Sequence, residues 1–200
     1  MNVAVGAVLL AASCGSCASR DPHWIEPRPA PPIEGIAVDT GRPFRLADER
    51  PRVVLLTFGY AGCHAACPLT LAKAKAVYAA LGARGDDLDF VYVTVDPERD
   101  TPDAFRAFLA KTDPRVDGVY PAPRALPSML EAYQVAVRKR PPDPADYAAR
   151  APDASVPYSL DHSAGFWGID RGGHLRFRYD HDVADVDLVA ATRRLIEERS

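Results

Sequence analysis

From Val53 to Val95 the chain reads as strand, helix, strand. Val53-Val54-Leu55-Leu56-Thr57-Phe58 is a continuous apolar run, β-branched at its start, with the length of a buried strand. Gly59 ends it. Pro68 fits only the first turn of a helix, because it has no backbone N–H to donate and its ring blocks a preceding turn. The helix it opens runs to about Leu81, with Leu69, Ala72 and Ala76 on one face and Gly82 and Gly85 past its end. Leu88 to Val95 (LDFVYVTV) is a second buried run. Two such strands separated by a helix predict a parallel pair in an α/β domain.

The rest of the chain extends this pattern. Thr101-Pro102-Asp103 is a helix start, with Thr as N-cap, and Phe105, Phe108 and Leu109 mark the inward face. Ser128 to Val137 reads as another helix that buries Met129, Leu130 and Tyr133. Arg138 to Pro157, rich in proline and charge, reads as a loop. Gly165 to Ile169 and His174 to Tyr179 are strands joined by the turn signal Asp170-Arg171-Gly172-Gly173. A last helix over Val183 to Glu198 buries Leu188, Thr192 and Leu195, with Asp182 placed to cap it. The closing hairpin makes the sheet mixed. The expectation is an α/β domain whose central mixed β-sheet is flanked by helices, and it resembles the thioredoxin-like fold in outline.

The N-terminus is different. Val3 to Ala12 is ten apolar or small residues, the length of an export signal and too short to cross a bilayer. Residues 1–19 therefore read as an export segment. It resembles a bacterial lipoprotein signal, with Cys14 or Cys17 as the lipidated residue; a cleaved signal and an uncleaved anchor extended to about Ala18 share the same features. Residues 20–32 carry Pro22, Pro27, Pro29, Pro31 and Pro32 and read as an extended, semi-rigid tether. The folded domain is expected over 33–200, at the periplasmic or other extracytoplasmic face of the inner membrane. With 24 basic against 27 acidic residues, a formal charge of −3, there is no basic excess to drive phosphate binding, so nucleic acid is not an expected partner.

The strongest chemical signal is Cys63-His64-Ala65-Ala66-Cys67-Pro68, set between a buried strand and a helix N-terminus. Unpaired backbone N–H groups and the positive end of the helix dipole stabilise a thiolate there. The spacing lets two sulfurs bridge as a disulfide or clamp one metal ion. Dithiol oxidoreductases of this outline normally carry C-x-x-C, and C-x-x-x-C opens the bite by one residue. Two soft thiolates and an imidazole suit Cu(I), whereas Zn(II) asks for four ligands. Five histidines could supply the imidazole: His23 in the tether, His64 between the cysteines, His162 just before the hairpin, His174 at its second strand and His181 ahead of the last helix. A structural disulfide across so short a turn would constrain the unfolded chain little.

Three patches, in order, resemble the SCO/SenC family of copper-binding proteins of cytochrome oxidase assembly. They are Thr57-Phe58-Gly59-Tyr60 leading into Cys63-x-x-x-Cys67-Pro68, then Val95-Asp96-Pro97-Glu98-Arg99-Asp100-Thr101-Pro102, then Asp161-His162-Ser163-Ala164 followed by a strand and Ile169-Asp170. The resemblance implies that Cys63, Cys67 and His162 bind copper, as Cu(I) or also as Cu(II). It implies contact of Asp96 and Asp100 with the oxidase partner, although Asp100 could equally serve the helix that starts beside it. It further implies delivery of Cu(I) to the copper-site subunit of cytochrome c oxidase, with another copper chaperone or a thiol reductant upstream. A different class of function fits the same cysteines: thiol–disulfide exchange with a partner's copper-site cysteines, which would need Cys63 and Cys67 but not His162. The cysteine motif departs from the family in carrying His64-Ala65-Ala66 where a Pro-Asp-Val type is usual.

Overall fold

The computed structural model describes residues 23–62, 66–111, 115–142 and 158–198, with Ala66, Cys67 and Pro68 described in their backbone alone. The export segment, Cys14, Cys17, Cys63, His64 and most of the expected loop up to Pro157 lie outside the described residues. Among the described residues, no helix is long and apolar enough to cross a membrane.

Among the described residues, ten strands and four α-helices follow one another as β1 (Trp24–Pro29), β2 (Glu34–Ala37), β3 (Pro43–Arg45), β4 (Val53–Gly59), α1 (Ala66–Leu81), β5 (Leu88–Thr94), α2 (Pro102–Leu109), β6 (Val116–Pro121), α3 (Leu126–Ala132), β7 (Val137–Arg140), β8 (Ser159–His162), β9 (Gly165–Ile169), β10 (His174–Asp180) and α4 (Asp185–Glu197). Eight strands form one mixed sheet in the order β1-β10-β9-β4-β5-β6-β2-β3. The run β4-β5-β6 is parallel, with Val53 opposite Leu88 and Phe90 opposite Val116. Every residue of β4 and of β5 is buried, Asp89 included, as near-continuous apolar runs require for strands covered on both faces. The thioredoxin-like α/β class expected from the sequence is the class observed.

Helix α4 packs against α1 and against β4 and β9, and α2 packs over β6. That last approach is possible because Gly118 faces Leu109 and Val38, where a Cβ would collide with both side chains. Thr101 caps α2 as its position promised, its hydroxyl accepting from the Ala104 N–H at 3.2 Å, with Pro102 in the first turn.

Four local expectations are corrected. Trp24–Pro29, read from its prolines as tether, is the edge strand β1, antiparallel to β10. Proline is tolerated there because an edge strand leaves one row of N–H groups unpaired in any case. Trp24 also fastens it, lying edge-on to Phe177 at 5.6 Å with the Arg194 guanidinium 3.8 Å from its ring. The domain therefore begins ahead of Ile33. The helix expected over Ser128 to Val137 is α3, which starts earlier and stops at Ala132; Gln134 adopts a φ of 57°, which no helix can continue through. The first residues of the expected loop after Val137 pair as β7. Finally, Asp182 does not cap α4: the N-cap is Ala184, without a side-chain bond, and Asp185 and Asp187 complement the dipole from the first turn.

Strands β7 and β8 form a separate two-stranded ribbon, Val137 opposite His162 and Arg140 opposite Ser159.

Candidate metal centre

Strand β4 runs out at Gly59, and Tyr60, Ala61 and Gly62 lead towards the first cysteine. The backbone places Cys67 in the first turn of α1, a helix of 16 residues, where the N-terminal N–H groups and dipole favour a thiolate. The entry to this loop is held from the neighbouring strand. The Val95 N–H donates to the Gly59 carbonyl at 2.8 Å. Asp100 Oδ2 accepts from the Ala61 N–H at 2.9 Å and from the Thr94 hydroxyl at 2.7 Å. The same hydroxyl oxygen accepts from the Asp96 N–H at 3.1 Å. Burial pushes the Asp100 carboxyl above its ordinary range, against the pull of its bonds to Thr94 and Ala61.

His162 closes β8 on the other side. It is half-buried, and its ring lies edge-on to Tyr60 at 5.7 Å. Its Nδ1 stands 3.0 Å from the Ser163 carbonyl. A carbonyl only accepts, so in this bond Nδ1 is the donor; in the neutral ring that leaves the lone pair on Nε2, the arrangement a metal-binding imidazole needs. Tyr60 ties the two sides together: three residues ahead of Cys63, its hydroxyl donates to the Leu160 carbonyl of β8 at 3.0 Å.

Asp96 and Asp100 are only 2% and 4% exposed. Direct contact with a partner protein, one of the two expectations for them, does not suit side chains so deeply enclosed. Asp96 accepts from the Tyr158 hydroxyl at 2.6 Å and pairs with Arg99, whose Nη1 donates to the Tyr158 carbonyl at 2.7 Å. Burial, with the Asp96 carboxylate beside it, pushes the Tyr158 phenol well above its ordinary range. Arg99 and Tyr158 were not singled out by sequence. Arg99 sits three residues after Asp96 inside the second family-like patch, which was the available signal; Tyr158 had none.

The remaining described histidines stand elsewhere. His23 stacks on Tyr179 at 4.4 Å, His174 faces Asp170 at 3.3 Å at the β9–β10 turn, and His181 is exposed ahead of α4. Among the described residues no three His, Cys, Asp or Glu side chains gather to hold a metal ion. Of the three expected ligands, His162 alone has a described side chain. Its chemistry fits a centre completed by two thiolates: an imidazole with a fixed tautomer, held beside the approach to Cys63.

The family model for SCO1/SenC matches residues 36–197. The chain belongs to the SCO1/SenC family. Protein SenC of Rhodobacter capsulatus is 29% identical over 136 residues, which is 63% of this chain and 61% of SenC, so the match spans about three-fifths of that relative's length. The structure of apo Sco1 from Thermus thermophilus superposes with a TM-score of 0.70 at 27% identity, covering 87% of this chain and 95% of that one. The copper-bound structure of Bradyrhizobium japonicum ScoI superposes with a TM-score of 0.69 at 24% identity, covering 84% of this chain and 99% of that one. The family handles copper and takes part in cytochrome c oxidase assembly.

Proposed function

We propose that this chain is an exported, membrane-tethered copper chaperone that delivers Cu(I) to the dinuclear copper site of cytochrome c oxidase. Cys63, Cys67 and His162 hold the ion. Two thiolates supply the soft donors that Cu(I) prefers, and His162 adds a neutral imidazole through Nε2. Three ligands leave the ion open to a thiolate of the receiving subunit, so that transfer proceeds by ligand exchange. The N-terminal apolar segment, with lipid on Cys14 or Cys17 in one form of the reading, keeps the domain at the membrane face where that subunit lies.

The observation that carries the reading is the setting of His162: Nδ1 spent on the Ser163 carbonyl, and the ring against Tyr60, three residues ahead of Cys63. The test is an anaerobic competition titration of the reduced full chain against a colorimetric Cu(I) chelator. One ion per chain is expected, with His162→Ala weakening binding by orders of magnitude while the fold survives. Affinity indifferent to His162 would remove it from the centre.

A second reading rests on Cys67 in the first turn of α1. The reduced pair would attack a partner's disulfide through a mixed disulfide. Two electrons and two protons would pass to the partner and leave a Cys63–Cys67 disulfide. Full disulfide reductase activity in His162→Ala, together with weak copper binding by the parent chain, would favour it.

A further inference from the structure

We infer that Arg99 is a positioning residue: it clasps the ribbon that carries His162 to the segment that anchors the cysteine loop, and so fixes where His162 stands. The inference deepens the proposed copper centre and rests on that reading for its copper readout.

The ribbon gives such a clasp a role. Strands β7 and β8 are not bonded into the eight-stranded sheet, and a two-stranded ribbon alone is marginal in water. Leu160 is buried in the core, with Val137 and Tyr158 packed against it, and polar ties add direction to that packing. Tyr60 bonds Leu160 in the middle of β8. Lys139 pairs with Glu98, but both side chains are largely exposed, at 48% and 65%. A more enclosed polar tie is Arg99. Its side chain is 14% exposed and that of its partner Asp96 1%.

Arg99 makes its contacts in several directions at once. Nε binds the Asp96 carboxylate, and Nη1 donates to the backbone carbonyl of Tyr158 at 2.7 Å. The guanidinium lies over the Tyr158 ring at 4.1 Å and near the Tyr60 ring at 5.4 Å. The Tyr158 hydroxyl closes the loop by donating to the other oxygen of Asp96 at 2.6 Å. Tyr60 in turn touches His162. The clasp therefore bears on His162 twice, through the start of β8 and through Tyr60. A planar fork that can bond a carboxylate and a carbonyl while stacking on a ring is specific to arginine; the point charge of lysine cannot reproduce it. Asp96, Arg99 and Asp100 thus belong to one short segment that grips both sides of the centre: Asp100 holds the cysteine-loop entry at Ala61, and Arg99 with Asp96 holds the ribbon.

The test is a double-mutant cycle on the full chain, with Cu(I) affinity measured for the parent, Arg99→Ala, His162→Ala and the double variant. Arg99→Ala is expected to weaken binding by about 10- to 100-fold, the usual loss when a group supporting a ligand is removed. In the His162→Ala background it is expected to add less than about twofold, since a support has nothing left to position. Equal losses in both backgrounds, or no loss in either, overturn the inference. Arg99→Lys separates charge from geometry and serves where the alanine variant does not fold; affinity restored to the parent value by lysine likewise overturns it. A copper-free readout stands beside the cycle. In the metal-free chain the ring nitrogens of His162, read by two-dimensional proton–nitrogen spectra, are expected to show the Nδ1–H tautomer in the parent and a mixture in Arg99→Lys. Should His162→Ala leave copper affinity untouched, the proposed function falls while this spectrum still decides the clasp, and an unchanged tautomer then overturns it.

Discussion

At the end of the parallel strands where β4 gives way to the cysteine loop, each buried carboxylate is met by donors of its own. Asp100 has the Ala61 N–H and the Thr94 hydroxyl, and Asp96 has Arg99 and the Tyr158 hydroxyl. At the opposite end, where these strands begin, Glu49, Asp89 and Asp117 lie close together beside Arg52. Arg52 bonds Asp89 at 2.7 Å, and Glu49 shares a hydrogen bond with Asp89. Burial and the neighbouring Asp89 raise Glu49 to about 7 and Asp117 to about 6, against the pull of Arg52. One end spends its carboxylates on holding backbone in place. At the other, burial and neighbouring like charges raise the carboxyl groups, so that they keep their protons to a higher pH.

The sharpest way to break this comparison is Asp100→Ala. It leaves the Ala61 N–H and the Thr94 hydroxyl without their acceptor in a buried place, each a cost of about 1–3 kcal/mol. The expected loss is about 3 kcal/mol in urea unfolding, with weaker Cu(I) binding because the cysteine-loop entry is released. A loss under about 1 kcal/mol would mean the loop entry is held by its strand alone.

Next in size is Arg52→Ala. At pH 8 it removes the cation bonded to the 2% exposed Asp89 and near Glu49 and Asp117. A loss of about 2 kcal/mol is expected, moderated because Arg52 itself is 47% exposed. At pH 5 protons take over the role of the arginine, so the loss should shrink. Equal losses at both pH values would mean the cluster does not share protons.

Glu49→Gln sharpens the same point with a smaller effect. The folded Glu49 holds its proton up to about 7, against an ordinary value of 4.5. Between those values the folded state binds more protons than the unfolded, so stability falls as pH rises through the window and is lowest above it. Glutamine keeps a donor for Asp89 and carries no charge. The variant should gain about 1 kcal/mol at pH 8, after discounting for solvent around a half-buried group, and flatten the profile between pH 4.5 and 7. A profile as steep as the parent's would assign the titration to Asp117.

These two ends also mark how far the sequence could be read. Strands β4 and β5 were legible because burial on both faces forces a near-continuous apolar run, broken in β5 by Asp89 alone among its first six residues, and the β9–β10 hairpin because its turn needs the residues at Asp170–Gly173. Strand β1 was hidden by its prolines, which an edge position excuses. The ribbon β7–β8 was hidden by polarity: Val-Arg-Lys-Arg has neither period nor apolar face, because its charges answer to Asp161 and Glu98 rather than to a core. At the proposed centre, Cys63 and Cys67 stood out because a cysteine pair ahead of a helix start suits thiolate chemistry, whereas His162 was singled out among five histidines only by the resemblance of its patch to the SCO/SenC family. The inward turn of Asp96 and Asp100 could not, since a carboxylate bonding buried backbone and one facing a partner are the same letter.

The smallest expected effect separates the clasp from its exposed neighbour. Lys139 and Glu98 join the same two segments as Arg99 does, ribbon to loop, and lie beside the same ring, Lys139 Nζ 4.4 Å from the Tyr158 centroid. The lysine holds the Glu98 carboxyl below its usual range. Yet water screens this pair and two long side chains must be ordered to make it. Glu98→Gln should leave the unfolding midpoint and the Cu(I) affinity unmoved, at low salt and at high. If it instead weakened copper binding only in chains that keep His162, as Arg99→Ala is expected to do, position on the ribbon rather than enclosure would decide what holds His162, and the contrast between buried and exposed ties would fail at the site where it matters most.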